Sequence, residues 1–593
     1  MGKRWSTVLG AALGCWLGAG FVNADVTPYT NVEAYSALAD AAEGFPRQYF
    51  RSSNIVAPVF QVNFWDHNAV DDAPYIFLGS VYGHMQAGPM IIDARDLSLV
   101  YADQRYENTY TSEVQTINGT NYLTFWEGFH TRGHANGYCL LFDEHYHLKY
   151  NVSAQGLNGA LADMHEMEVT DAGTVIFSTY FNIPYDLSPV GGPVEALLMD
   201  SGFQEVDVAT NKVLFSWAAS DHFSISDSLA APDARYGVGP DSGFDFFHIN
   251  SIKKTSAGNY LISSRHLSML ALIDGVDGHP IWTLGGKRNQ FTDLSGGRAT
   301  SLGWQHDARF HNNESHITLF DNHGEYTGKC QNKCNTRGLH LEIDPAALTV
   351  KVVSEYYHPE QIDSGAMGGY QKLNNGNVLL AWGHTPGFVE YTDDGRTVMD
   401  VQRGKIGSSN VDDMFAYRVH KAHWTGRPKW PPNMAMDAPH GTAENATVYL
   451  SWNGATDIFK WSIFSSNDPL NISDYGNLQT EAKRTGFETS IFLGPNSTSR
   501  YVGAAAVDKQ GNVLGSSLVY DMQTGQPVLL KSAINSVLPP QTKFYPKTLS
   551  SAGVIGGGVV AVVAVFALYM FRRRKCLHRD PESARYKPLA NVD

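Results

Sequence analysis

The feature that most constrains this fold is a repeated unit of four short strands in the first 400 residues of the chain. Each copy ends in the same pattern of apolar-x-apolar-Asp, a turn and an apolar strand. The clearest copies run near 165–217, 248–282, 306–353 and 370–401, with a fainter one near 112–150 and half of one near 89–100. Units repeated at intervals of roughly 50–90 residues are typical of β-propeller blades arranged around one axis. We therefore predict five to seven blades, with six preferred.

The turn signals between the short apolar runs predict an all-β chain with several domains. Helical periodicity is scarce, and short apolar runs end in turn signals such as Asn374-Asn375-Gly376. A boundary is expected at the proline-rich segment 428–432, so that residues 25–430 form the propeller. Residues 431–530, with Trp452 as a buried ring, are predicted to form a small fibronectin type III-like β-sandwich, and 531–551 a stalk. The predicted fold class is all-β: a six-bladed propeller, this sandwich and one C-terminal transmembrane helix.

Both ends of the chain carry targeting signals. Lys3 and Arg4 precede an apolar run that ends in a small-residue cleavage pattern, which predicts a signal peptide over 1–24. Residues 552–571 are 20 uncharged residues followed by four basic ones, which predicts a membrane span with residues 572–593 in the cytosol. The alternatives are an N-terminal membrane anchor and a C-terminal lipid-anchor signal. We thus expect a single-pass type I protein of the secretory pathway, at the plasma membrane or an internal membrane, with a lumenal or extracellular ectodomain.

Sequons and cysteines agree with that location. We predict glycosylation at six asparagines that precede the span: Asn118, Asn151, Asn313, Asn445, Asn471 and Asn496. Cys330 and Cys334 are predicted to form a disulfide, although their spacing also allows half of a zinc site. Cys139 is expected to be a buried thiol. The net charge of −15 and the absence of a basic run in the ectodomain argue against nucleic acid as a partner.

Three histidines occupy equivalent positions in successive repeats. His165, His248 and His306 each stand at the start of a predicted inner strand, which lines the central channel of a propeller. Asn250 follows His248 at i+2 and should face the same way, and Arg265 closes the next strand. Imidazole can act as nucleophile, acid or base, and a guanidinium matches a tetrahedral oxyanion. The set indicates transfer of an anionic sulfuryl or phosphoryl group through a histidine adduct.

The segment 75–404 resembles the arylsulfotransferase family, in its eukaryotic membrane-anchored branch. The resemblance is carried by Phe247-His248-Ile249-Asn250-Ser251, Ser263-Ser264-Arg265, Trp304-Gln305-His306-Asp307 and Trp382-Gly383-His384. It implies a six-bladed propeller that passes sulfate from an aryl sulfate to a phenol without the nucleotide donor PAPS.

The resemblance also implies roles for single residues. His306 would be the nucleophile that becomes sulfohistidine, with His248 and Arg265 as the other catalytic residues, and His165, Asn250 and His384 would bind substrate. Asp307 is not expected to orient His306, because adjacent residues of a strand point to opposite faces.

Two other functions remained open. The propeller could be a non-catalytic cell-surface module that binds glycans or proteins, or a metal- or quinone-dependent oxidoreductase, because fold alone does not determine function. We predict no cofactor and no metal, although a histidine-rich channel could hold zinc or copper. The expected partners are a small aryl sulfate and a phenol, with the membrane contacted through the C-terminal helix. The sequence does not indicate an oligomeric state.

Overall fold

The computed structural model describes ten ranges of the chain, and every structural statement here concerns them: 25–42, 46–79, 88–131, 133–232, 243–324, 326–330, 333–406, 417–437, 443–497 and 499–528. Within them there is one α-helix, Val32–Ala41, and its N-terminus is capped by the Asn31 side chain. Short 3₁₀ turns lie at Ser188–Val190, Ala219–Asp221, Ile225–Asp227, Pro469–Asn471 and Tyr475–Asn477. The rest of the regular structure is strand.

Six four-stranded antiparallel units occupy most of the described chain, and we number them as blades in chain order. The strands of each blade are given from the innermost outward. Blade 1 consists of Val419–Ala422, Tyr75–Leu78, Met90–Asp93 and Leu99–Ala102, and blade 2 of Thr109–Ile117, Thr120–Thr131, His134–Phe142 and Leu148–Val152. Blade 3 consists of Ala162–Val169, Thr174–Tyr185, Ala196–Asp207 and Val213–Ala218. Blades 4 to 6 are Ile249–Lys254, Tyr260–Ser264, Met269–Ile273, Pro280–Gly285; His306–His311, His316–Asp321, Arg337–Asp344, Thr349–Tyr356; and Gly369–Lys372, Val378–Ala381, Gly387–Tyr391, Thr397–Gln402.

Short strands extend these sheets. Gln61–Trp65 adds to the outer edge of blade 6, Thr292–Asp293 to that of blade 5, and Phe244–Asp245 runs parallel to Ala196–Asp207 of blade 3. Two further pairs stand alone: Arg47–Tyr49 with Val56–Pro58, and Gly328–Lys329 with Ile362–Asp363. The parallel segment Phe244–Asp245 matters for the site because it ends three residues before His248.

Each pair of neighbouring blades shares one apolar core. In blade 1, Ile76 and Leu78 pack against blade 6, whereas Tyr75 and Phe77 pack against blade 2. Such alternation is the period-2 pattern of a strand whose two faces are both covered, which is why all four residues are buried. The other four cores join blades 2 and 3, 3 and 4, 4 and 5, and 5 and 6. The six blades thus close a ring.

Residues 433–528 form a second body of strands around one apolar core. One sheet contains Asn433–Asp437, Thr447–Ser451 and Glu488–Phe492. The other contains Lys460–Ser466, Leu478–Lys483, Tyr501–Val507, Val513–Ser516, Val519–Asp521 and Gln526–Val528. Trp461 and Trp452 are buried in the core between the sheets. This body contacts blade 1 through the Asn453 side chain, which bonds the backbone of Ala102 at 2.9 and 3.0 Å.

The predicted fold class is corrected at its membrane element. The α-helix has 10 residues, about half of the ~20 that a membrane span needs. Across the described ranges no helix is both long and apolar enough to cross a bilayer. The predicted span 552–571, the signal peptide 1–24, the stalk and the tail lie outside the described residues. The six sequon asparagines do lie within them, and all are exposed.

Candidate active site

The inner strands of blades 3, 4 and 5 lose their regular pairing where the predicted histidines stand. Pairing with the second strand shifts between Ala162 and Met167, between Ile249 and Ser251, and between His306 and Arg309. His248, Trp304 and Asp307 have positive φ values of 54°, 57° and 55°. Bulges of this kind re-aim side chains and are frequent beside active sites. These bulges direct side chains toward this site that regular strand alternation would direct elsewhere.

His165 and His248 lie together and are held in the same way. Their ring centroids are 4.7 Å apart and both side chains are buried. The Nδ1 atom of His165 is 2.5 Å from a carboxylate oxygen of Asp163, and that of His248 is 2.5 Å from Asp245. A carboxylate accepts and does not donate, so each Nδ1 carries the proton and each Nε2 is directed away from the carboxylate.

His306 is held by an amide instead. Its Nδ1 is 2.7 Å from Oδ1 of Asn322. The Asn322 amide nitrogen donates to the carbonyls of Ser364 and Met367 at 2.8 and 2.9 Å, so Oδ1 must be the acceptor and His306 Nδ1 the donor. Nε2 is therefore unprotonated, and it accepts a hydrogen bond from the Met367 backbone N–H at 3.3 Å. Burial lowers the pKa of His306 well below its usual value, and the Arg265 charge lowers it further.

Arg265 follows the second strand of blade 4 and lies between an indole and an imidazole. Its guanidinium stands 4.5 Å from the centroid of the Trp304 ring, and Nη1 is 2.8 Å from Nε2 of His266. His266 Nδ1 in turn donates to the backbone carbonyl of Asp245 at 2.6 Å. These contacts hold the Arg265 guanidinium beside Trp304, two residues before His306.

Asp245 is the meeting point of three imidazoles, and the sequence prediction missed it. Its Oδ2 is 2.8 Å from His134 Nε2, 2.5 Å from His248 Nδ1 and 3.7 Å from His266 Nδ1. Burial would raise the pKa of Asp245, but the facing imidazoles lower it well below its usual value. The sequence carries a signal for both carboxylates, because Asp245 stands three residues before His248 and Asp163 stands two residues before His165.

The other two predicted site residues, Asn250 and His384, bond backbone groups next to His306 and next to Met367. Asn250 is fully buried, and its amide donates to the carbonyl of Gln305 at 2.7 Å, so it joins blade 4 to the residue before His306. The register of the strand shifts between Ile249 and Ser251, so strand alternation alone does not set the direction of the Asn250 side chain relative to His248. His384 is half-buried, and its backbone N–H donates at 3.2 Å to Ala366, beside Met367.

A buried cluster of four charges lies next to the histidines along the chain. Glu166 pairs with Arg418 at 2.8 Å and with Arg309 at 2.7 Å. Asp307 pairs with Arg309 at 2.9 Å and accepts from the Tyr370 backbone N–H at 2.8 Å. The Asp307 carboxylate thus points to this cluster and not to His306, as expected for its neighbour in the strand. The four charges tie blades 3 and 5 to the segment that enters the innermost strand of blade 1.

The disulfide lies in the loop behind Asn322. Cys330 and Cys334 are bonded, with their Cα atoms 5.5 Å apart. The adjacent pair Gly328–Lys329 and Ile362–Asp363 leads to Ser364, and Thr336 donates its hydroxyl to the Asn322 carbonyl at 2.8 Å. Cys139 is buried and unpaired with another cysteine. The crosslinked loop therefore supports the amide that holds His306.

Chemically, the site offers a neutral imidazole Nε2 near a guanidinium, with two carboxylate-backed imidazoles beside them. A neutral Nε2 is a nucleophile, and a guanidinium stabilises charge on the oxygens of a transferred anionic group. The carboxylate-backed rings can donate hydrogen bonds through Nε2 when protonated.

Comparison with known proteins identifies the family of this segment. Residues 113–404 match the model of the family described as arylsulfotransferase (ASST), and this range contains all the predicted catalytic and substrate-binding residues. No curated protein sequence matches the chain.

Solved structures match the chain only distantly. A protein of unknown function from Bacteroides caccae is 12% identical over 58% of this chain and 97% of its own, with a TM-score of 0.34. The quinohemoprotein alcohol dehydrogenase from Comamonas testosteroni is 12% identical over 64% and 62%, with a TM-score of 0.27. A protein from Lactobacillus plantarum is 10% identical over 72% and 98%, with a TM-score of 0.31. Likenesses at this level support no functional argument.

Proposed function

Because residues 113–404 belong to the arylsulfotransferase family, we propose that this chain moves a sulfuryl group from an aryl sulfate to a phenol through a sulfohistidine at His306. Family membership itself indicates aryl sulfotransferase activity with small aryl sulfate and phenol substrates. The covalent route and the roles of single residues are the proposal. We place the reaction in the secretory pathway, supported by the Cys330–Cys334 disulfide and the exposed sequons.

The observation that supports His306 most strongly is the amide behind it. A carboxylate stabilises an imidazolium, whereas the neutral oxygen of Asn322 adds no charge to do so. Burial and the Arg265 charge also lower the pKa of His306. His306 is therefore neutral at physiological pH, and attack on sulfur requires its Nε2 lone pair to exchange the Met367 N–H for the sulfur.

In the first step, Nε2 of His306 attacks the sulfur as the bond from sulfur to the aryl oxygen breaks. The phenolate leaves with that electron pair and takes a proton from His165, whose Nδ1 is held by Asp163. In the second step, a phenol oxygen attacks the sulfur, the N–S bond breaks, and His165 takes the phenol proton. His306 is thereby regenerated, which gives ping-pong kinetics.

Charge on the transferred group is stabilised by groups already in position. The sulfuryl group carries charge on three oxygens during transfer, much as a phosphoryl group does. Arg265 supplies a fixed fork, held by Trp304 and His266. Asn250 acts indirectly, because its amide fixes the carbonyl of the residue before His306. Pre-positioned donors of this kind supply a large part of many enzymatic rate enhancements.

The test is turnover of p-nitrophenyl sulfate with a phenol acceptor. We expect nitrophenolate release that depends on the acceptor and falls by about 10³-fold or more in His306→Ala. A quenched reaction without acceptor should leave a sulfuryl adduct on the peptide that contains His306, detected by mass spectrometry. His147→Ala, at an exposed imidazole, is the matched control and should keep full activity. Full turnover in His306→Ala would exclude the sulfohistidine route.

A further inference from the structure

Three metal-ligating atoms from two segments of the chain converge beside the proposed sulfuryl site. His134 lies at the tip of a blade 2 hairpin, Asp245 ends the short strand parallel to blade 3, and His248 precedes blade 4. Their donor atoms Nε2, Oδ2 and Nδ1 all lie within 4.8 Å of one another, and all three side chains are buried. We propose that these residues bind one divalent transition-metal ion, of which Zn²⁺ is the best match.

The charge of Asp245 supports this assignment. Asp245 is 3% exposed, and its ion-pair neighbours among the described residues are imidazoles only. By contrast, the buried Glu166 and Asp307 are each paired with a guanidinium. The second oxygen of Asp245, Oδ1, is buried and has no hydrogen-bond partner within the described part of the chain. A buried carboxylate without a cation is costly, and a bound divalent ion compensates it and occupies its open oxygen.

The donor set indicates which ion. Two imidazoles and a carboxylate are typical ligands of Zn²⁺ in sites that keep a fourth position for water or substrate, at about 2.0–2.2 Å. Donors around a tetrahedral ion stand about 3.3 Å apart, so the 2.5 and 2.8 Å separations from Asp245 would open by less than an ångström. His266 is not a ligand, because its Nδ1–H donates to the Asp245 carbonyl and its Nε2 accepts from Arg265.

This site leaves the proposed reaction intact. Coordination through Nδ1 keeps Nε2 of His248 for the sulfuryl oxygens, and His306 is not a ligand. A metal at Nδ1 also fixes the ring of His248 and makes its Nε2–H a stronger donor. Because the test below measures metal binding, its outcome does not depend on sulfotransferase activity.

The test is Zn²⁺ binding to the chelator-treated protein, followed by calorimetry and by elemental analysis after dialysis. We expect one ion per chain. Asp245→Asn and, separately, His134→Gln should each raise the Kd by about 100-fold or more, since both remove a ligand. Replacing Zn²⁺ with Co²⁺ should give visible d–d bands that both variants lose.

A second acidic cluster in the chain provides the control. Asp274, Asp277 and His279 also bring ligand atoms within 4.8 Å of one another, but two of the three are exposed. Asp277→Asn should leave Zn²⁺ stoichiometry and affinity unchanged. The proposal is overturned if the protein binds no stoichiometric ion, if binding survives both Asp245→Asn and His134→Gln, or if Asp277→Asn abolishes it. Near-ultraviolet circular dichroism of each variant shows whether a loss reflects folding.

Discussion

At the residue scale, the three histidines of the site differ in the group that holds Nδ1. Asp163 and Asp245 hold His165 and His248, and both are carboxylates. Asn322 holds His306 and is neutral. A carboxylate favours the protonated ring and an amide does not, although burial still lowers the pKa of His248 well below its usual value. The identity of the partner therefore separates the proposed nucleophile from the proposed proton carrier.

Replacing the Asn322 amide with a carboxylate should make His306 resemble His165, whose Nδ1 is held by a carboxylate. In Asn322→Asp, the new charge raises the pKa of His306, so that a larger fraction of the ring is protonated and unable to attack. The wild-type pKa lies well below its usual value, so activity should persist as the pH falls below 6. In the variant, the acidic limb of kcat/KM against pH should move up by about one unit or more.

The pH profile of Asn375→Asp is the control for that experiment. Asn375 is exposed and lies in a turn of blade 6, so an added charge there should leave the profile unchanged. An Asn322→Asp enzyme with the wild-type profile would show that ionisation of His306 does not limit the reaction.

Sequence reasoning found the histidines but not what holds them. Equivalent places in a repeat predict convergence, and His165 and His248 are indeed adjacent. His134 and Asn322 could not be assigned, because each lies in a loop or hairpin whose path is set by tertiary contacts. The direction predicted for Asn250 rests on strand alternation, which is interrupted here by a bulge that the sequence does not mark.

At the element scale, blade 1 explains why only half of one repeat was visible in the sequence. Its three outer strands lie between residues 75 and 102, but its innermost strand is Val419–Ala422. Pairing across more than 300 residues leaves no local pattern to detect. The other five blades are continuous in the chain, and each was recognised from strands and turns of its own.

Arg418 stands immediately before this closing strand, and its ion pairs should matter to stability. Its side chain is 1% exposed and pairs with Glu166 at 2.8 Å. Arg418→Met removes one of the two guanidinium partners of the buried Glu166 carboxylate. We therefore expect the free energy of unfolding to fall by about 3–5 kcal/mol. Urea titration followed by tryptophan fluorescence measures this. Arg396→Met, at an exposed pair with Asp66, should change it by no more than about 0.5 kcal/mol. Equal midpoints for the two variants would contradict a role for the cluster in closure.

At the scale of the whole molecule, a closed ring covers both faces of the inner strands of the blades, so polar groups that these strands carry become buried. Some of them are paired across blades, as Lys421 of blade 1 is with Glu390 of blade 6 at 2.9 Å. The sequence predicted this all-β ring because apolar strands recur with turns between them. It did not predict which polar side chains are enclosed, since that depends on which blades become neighbours.

Asp400 is an enclosed group with a consequence for the whole chain. It lies in the outer strand Thr397–Gln402 of blade 6, which is covered by Gln61–Trp65. Burial raises the pKa of Asp400 from 3.8 to about 7, although a hydrogen bond from Asn63 lowers it. The folded protein therefore holds this proton more tightly than the unfolded chain does. The stabilisation is complete below pH 4 and is lost as the pH rises through 7.

Asp400→Asn should remove that loss, because an amide does not ionise. The variant and the wild type should have similar free energies of unfolding at pH 4, and the variant should be more stable by about 2 kcal/mol or more at pH 8. Urea midpoints at both pH values measure the difference. Asp171→Asn, in an exposed turn of blade 3, should show no such gain at pH 8. A variant that is no more stable than the wild type at pH 8 would mean that Asp400 ionises in the folded chain without cost, through solvent access or a cation that the outer strand admits.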